Sequence, residues 1–313
     1  MDRLTALIIV DAACSDDRIR HYIASLPADG VHLSVLVVGA APSLPMWAYG
    51  SAPYGPIIFP ENWHETYQAG GSDVADRADV IEKLLQAAGV AGDVTSAYGE
   101  ASVLDDQIAA RAALCDVVLI DPALADASLT FQQALEGVLF KTPVAVALNA
   151  AGVDRVLQAK HPMLAWDGSL PALRALHRAL PILRQAAQVT ILVVDPNPHG
   201  PEGQNPGSDV ATWLTRHDCN VTLQQSPSAG QDIGSCILAR AGEIGADLIV
   251  MAPMSIRARA SVFWVAPRRS WSARRITPSC WRIERAAPGL GIRRWFLWRV
   301  SQRRGAALPP SCR

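Results

Sequence analysis

Short apolar runs, each closed by an acidic or small residue and followed by a longer amphipathic segment, recur along this chain, and that alternation leaves few folds open to it. Residues 5–11, 31–39, 92–98, 116–121 and 143–148 read as strands, with helices predicted over 15–26, 72–88, 101–114 and 129–140. The run Leu7-Ile8-Ile9-Val10 is apolar throughout rather than alternating. That is the signature of a strand covered on both faces. Parallel neighbours need a crossover long enough to hold a helix, so the order predicts an open parallel sheet with helices on both sides.

The same order then repeats. Residues 163–166, 189–194, 220–224 and 247–251 read as strands, and 170–185, 209–217 and 233–244 as helices. The first strand of each series ends in Asp followed by small residues, Val10-Asp11-Ala12-Ala13 and Trp166-Asp167-Gly168-Ser169. The second ends in a valine pair, Val37-Val38 and Val193-Val194. An internal repeat of about 150 residues follows. One domain is assigned to 1–150, a linker to 151–160 and a second domain to 161–251, and 313 residues suffice for two cores. The stretch 40–71, rich in Pro, Gly and aromatics, reads as a lid or a domain-contact loop.

The charge separates the last 62 residues from the rest. From Ala252 to Arg313 there are 14 Arg, no Lys and one acid, Glu284, whereas the preceding residues carry a formal charge of −14. Five of the nine Trp also lie there, and no helical or strand period is evident. This tail, 252–313, is predicted to be disordered. The six Cys are scattered, with no CxxC or zinc-knuckle spacing. Residues 7–10, stopped by Asp11, are too short for a signal-peptide core, and no apolar run reaches the ~20 residues of a membrane span. A cytoplasmic chain with reduced thiols is the expectation.

Four segments carry a likeness to a known family: Ala165-Trp-Asp-Gly-Ser169, Val189-Thr-Ile-Leu-Val-Val-Asp195, His199-Gly200 with Pro206-Gly207, and Gly245-Ala-Asp-Leu-Ile-Val-Met251. In register, they resemble the tandem form of the universal stress protein family, over residues 4–251. The resemblance implies two Rossmann-like α/β domains of strand order 3-2-1-4-5, with ligands beyond the carboxyl ends of the strands. The second domain would lack its last helix and strand. It also implies an adenine nucleotide, ATP or AMP, held by Asp167, Val193, Ala165 and Met251, and a homodimer in the intact form. Asp167 has a plainer reading as the cap of the following helix.

The family holds phosphates on a glycine loop after the fourth strand, G-x-x-G, nine residues, then G and Ser or Thr. Glycines let backbone amides approach an anion at a helix N-terminus. The first half reads Asp121-Pro-Ala-Leu-Ala-Asp126 there, and two carboxylates repel a triphosphate. The second half reads Ala252-Pro-Met-Ser-Ile-Arg257. Reading the codons one base earlier changes this. Met is ATG and Trp is TGG alone, so Ala252 becomes Gly, Trp264 Leu, Val265 Gly and Trp281 Leu. Permissive third bases extend the reading to a helix, a last strand and a stop at Glu284, with Val at Ser255 where the motif has its second glycine. A frameshift in the tail is therefore expected. Taken literally, Arg with interleaved Trp suits nucleic-acid phosphates or an anionic membrane surface. The absence of Lys and the coincidence with the missing motif stand against that reading, so neither nucleic acid nor membrane is expected as a partner.

Other chemistry finds no footing. Neither Gly-Lys-Ser/Thr nor G-x-G-x-x-G after a strand occurs, which excludes a P-loop and a dinucleotide fingerprint. The seven His lack metal-ligand spacing; His199, in the Pro/Gly loop, is the one a mobile loop can bring to a ligand. Ser169 lacks a G-x-S-x-G elbow and reads as a helix cap. The expectation is a non-enzymatic stress-response protein, ligand-sensing or structural, with a nucleotide-free protein-interaction module as the alternative.

Overall fold

The computed structural model describes residues 4–27, 30–44, 59–126, 128–197 and 205–252, and the backbone of 262–265. All belong to one compact unit, Met1–Arg274. The first half runs β1 (Leu4–Asp11), α1 (Asp16–Ala24), β2 (Val31–Ala40), α2 (Trp63–Ala88), β3 (Gly92–Gly99), α3 (Ala101–Ala112), β4 (Val117–Ile120), α4 (Ser128–Lys141) and β5 (Ala145–Leu148). A short helix, α5 (Val153–Leu157), leads into β6 (Pro162–Ala165), α6 (Leu170–Leu183), β7 (Val189–Val194), α7 (Ser208–Arg216), β8 (Val221–Ser226), α8 (Ile233–Ile244), β9 (Leu248–Met251) and β10 (Val262–Val265).

The first half is a parallel sheet of order β3-β2-β1-β4-β5, and the second a parallel sheet of order β9-β6-β7-β8. Alternate residues of each strand go to opposite faces. Ala6, Ile8, Val10, Val35 and Val37 meet Ile19 and Tyr22 of α1 and Val74, Ile81 and Leu85 of α2. Leu7, Ile9, Leu36 and Val38 meet Leu104 and Ile108 of α3 and Ala134 and Val138 of α4. In the second half Leu164, Ile191 and Val193 pack under α6 and α7, and Met163, Leu192 and Ile249 under α8. The core on the α1/α2 face continues into the α6/α7 face, so the halves share it.

Three features differ from the sequence expectation. Helix α2 starts at Trp63, inside the predicted loop, and residues 45–58 of that loop lie outside the described residues. Gly70 and Gly71, placed in that loop by the sequence, sit in the helix with Tyr98 lying against them. A Cβ at Gly70 would meet the Tyr98 hydroxyl at 2.5 Å. Residues 151–160 hold α5, whose Val153 and Val156 are buried. The Val153 amide donates to Ser25 Oγ (3.0 Å) and the Asp154 amide to the Ser25 carbonyl (3.2 Å), tying this segment to the end of α1.

The third concerns β9. A domain ending at Met251 leaves β9 without an outer neighbour, an arrangement that invites aggregation. Instead β10 lies between β9 and β5, antiparallel to the first and parallel to the second, and joins both halves in a ten-stranded sheet. The first half closes with β5 parallel to β4. Beside β9 the same place is taken by a strand running the other way. β9 therefore has a backbone partner on its outer side. The remaining tail residues lie outside the described ones.

Candidate functional site

In a doubly wound sheet a ligand sits where the strand order reverses, beyond the carboxyl ends. That point is β1/β4 in the first half and β6/β9 in the second. The two are built differently.

At the first, Asp121 follows β4 directly and is 1% exposed. Its Oδ2 accepts from Arg18 Nε (2.6 Å) and the Tyr22 hydroxyl (2.9 Å), both from α1, and its Oδ1 from the Ala123 amide (2.7 Å). The Asp121 amide donates to the Ile9 carbonyl of β1 (3.0 Å). Burial, reinforced by the Asp121 charge, pushes the Tyr22 phenol up. Burial and then Asp121 push the neighbouring Cys14 thiol to about 11. Neither is a nucleophile at neutral pH. Arg77 of α2 is tied to Asp16 (2.6 Å). The first switch point is thus occupied by the protein's own Arg18, held by a carboxylate that the sequence reading cast only as a repellent.

At the second, Asp167 follows β6 and is exposed, and its Oδ1 accepts the Ser169 amide (2.9 Å). Gly168, at φ +71°, makes the turn. Ser169 is the N-cap of α6, its hydroxyl accepting from the Ala172 amide (3.2 Å). Asp167 is therefore not the cap, and Ser169 is. Ala165 lies opposite Leu192 in the ladder and joins Met251 on the face under α8. Val193 is on the other face, 5% exposed, beneath Gly207. Gly207 has φ +89°, and a Cβ there would meet Val193 Cγ2 at 2.9 Å and Leu223 Cδ1 at 2.8 Å. The four residues named from sequence thus reach one edge, at the ends of β6, β7 and β9, with Val193 already covered.

Sequence reasoning missed Asp195, just after β7. It adopts φ +48°, and its Oδ1 accepts the Ser228 amide (2.7 Å). The Ser228 hydroxyl and amide hold its carboxyl below the usual range. The signal was the dipeptide Asp195-Pro196 at a strand end, since Asp binds its neighbours' amides in turns. Arg240 of α8, on the same side, is engaged by Ser226 Oγ (3.0 Å) and by Glu243. This edge presents two carboxylates, Asp167 and Asp195. His199 lies outside the described residues. A groove of about 450 Å³ lies elsewhere, on the first half, lined by Leu36, Thr95, Ala97, Gln107, Ala110 and Arg111. Among the described residues no group of His, Cys, Asp or Glu is placed to hold a metal, and no helix is long and apolar enough to cross a membrane.

No protein-family model matches the sequence, and no curated protein is similar to it. Solved structures are. A universal stress protein from Archaeoglobus fulgidus superposes with a TM-score of 0.52 at 14% identity, over 83% of this chain and 97% of that one. A provisionally named universal stress protein from Pseudomonas aeruginosa covers 83% of this chain and 92% of its own at 13% identity, with a TM-score of 0.39, too low to add weight. This chain has the fold of a universal stress protein in tandem, with five parallel strands of order 3-2-1-4-5 in the first half and four in the second.

Proposed function

We propose that the chain is a non-catalytic stress-response protein of the universal stress type, with a ligand-sensing or structural role, whose first half is a scaffold and whose second half keeps only the adenosine end of a nucleotide site. The observation that carries this is the contrast between the switch points. Asp121 and Arg18 fill the first, whereas Asp167 stands exposed at the second. The phosphate end has little to offer. Residues 252–257 supply no glycine, and Asp195 adds a second carboxylate to the carboxyl edge of the sheet. Anions need converging amides or cations, so ATP or AMP binds weakly if bound at all. A cytoplasmic setting and homodimerisation of the form with an intact second domain belong to the same reading.

Calorimetric titration with ATP and AMP tests it. The expected outcome is no saturation below about 1 mM, a free energy weaker than about −4 kcal/mol. A micromolar dissociation constant that is lost in Asp167→Ala would overturn it. A second reading, a protein-interaction module that takes no nucleotide, is favoured by the missing glycine loop. It predicts no heat with adenosine either. The reading-frame change in the tail is tested by sequencing the gene across the Met251 codon and weighing the expressed product. A mass corresponding to all 313 residues from an unaltered gene would end it.

A further inference from the structure

The two half-sheets do not touch edge to edge. The order is β4-β5-β10-β9-β6, so every hydrogen-bonded link between the described strands of the two halves passes through β10. Val262, Phe263 and Trp264 face Val146, Ala147 and Leu148 of β5 on one side, and Met251, Val250 and Ile249 of β9 on the other. Neighbouring strands stand about 4.8 Å apart, so β5 and β9 are separated by about 9.6 Å, one strand's width.

The walls of this gap are held without β10. β5 is paired to β4 and β9 to β6. Ala145 and Ala147 of β5 share one buried cluster with Leu164, Ala175 and Val250 of the second half and with Val153 and Val156 of α5. Two buried strand edges facing each other each leave backbone donors and acceptors that need partners, a cost that a single inserted strand removes on both sides. Main-chain pairing gives such a gap affinity for extended peptide irrespective of its origin.

We propose that the gap between β5 and β9 is a strand-binding groove, that Val262–Val265 is its intramolecular occupant, and that an extended apolar peptide in trans takes the groove when this segment is displaced. The peptide would run parallel to β5 and antiparallel to β9, with about four residues engaged. β-branched and aromatic residues, as in Val262-Phe-Trp-Val265, suit that conformation. Because the segment is covalently joined to β9 through residues 252–261, its pairing is intramolecular, at an effective concentration of about millimolar order. A micromolar competitor therefore fails against the unaltered chain.

The probe is a fluorescein-labelled peptide with the sequence of residues 260–267, Ala-Ser-Val-Phe-Trp-Val-Ala-Pro. The displacing variant is Phe263→Pro, since proline removes a ladder donor and is excluded from central strands. Fluorescence anisotropy should show the probe binding the variant at least tenfold more tightly than the unaltered chain, and a scrambled peptide binding neither. Hydrogen exchange should show protection over 145–148 and 248–251 reduced in the variant, at the amides that point to β10, and regained with the probe. Slow exchange over β1 and β7 confirms that the variant is folded. Unchanged protection in a folded variant, or an opened groove that ignores the probe, would overturn the proposal. Should Phe263→Pro not fold, the unaltered chain decides. Brief trypsin treatment at Arg257, Arg259 and Arg268 frees the segment 260–268 from its tether. Native mass spectrometry should then find that nonapeptide still bound and replaceable by the probe. Its loss with no change in protection over 145–148 and 248–251 would refute the idea.

Discussion

Asp121 is the residue on which the first half turns. A buried carboxylate is costly unless charge and hydrogen bonds answer it. Here a guanidinium, a phenol and a backbone amide do, and they fasten α1 to the end of β4. Removing the carboxylate strands the Tyr22 hydroxyl, which is buried, and leaves Arg18, whose side chain is 37% exposed, to find water. Arg18's exposure places the cost below that of a fully buried pair. We expect Asp121→Ala to lower stability by about 2–4 kcal/mol, and Asp121→Asn by less, because the amide keeps an acceptor. Urea unfolding measures both. A loss under about 0.5 kcal/mol for the alanine variant, the range of a plain surface site, would show the cluster to be incidental.

At the scale of elements, α6 separates two roles that one short loop combines. Ser169 caps the helix and Asp167 orders the turn before it. Ser169→Ala is expected to cost about 1 kcal/mol, the usual worth of an N-cap, and Asp167→Ala less, since that carboxylate is exposed. Thermal unfolding of the two variants checks the order, and a reversed order would return Asp167 to the capping role. The sequence made strands and most helices legible because buried parallel strands are apolar without interruption, and β7 and α8 fall on the predicted residues. It misled where a residue type has two uses. Gly70 and Gly71 serve close approach to Tyr98 within α2 rather than the loop read over 40–71. Asp121 serves a buried network, which depends on Arg18 and Tyr22 about a hundred residues away. No local pattern encodes such a partner. The same holds for β10, whose pairing is set by two edges far apart in sequence rather than by its own neighbours.

For the molecule as a whole, the shared core decides how it unfolds. Strands β1, β2, β4 and β5 of the first half lie in one cluster with β6, β7 and β9 of the second, and α5 is buried between the sequences of the two. Elements that share a core do not melt apart, so a single cooperative transition is expected rather than one per repeat. Residues 262–265 add the backbone link. A chain ending at Met251 keeps the core but exposes the edges of β5 and β9 together. Such edges pair with other chains. The truncated chain should therefore melt at least about 4 °C below the 313-residue chain, equivalent to roughly 1–2 kcal/mol at this size, and should associate as its concentration rises. Calorimetry and light scattering on the two chains test this side by side. Two separated transitions in the full chain would mean that the halves are independent domains. Equal melting temperatures, with a truncated chain that stays monomeric, would mean that β10 contributes nothing to holding them together.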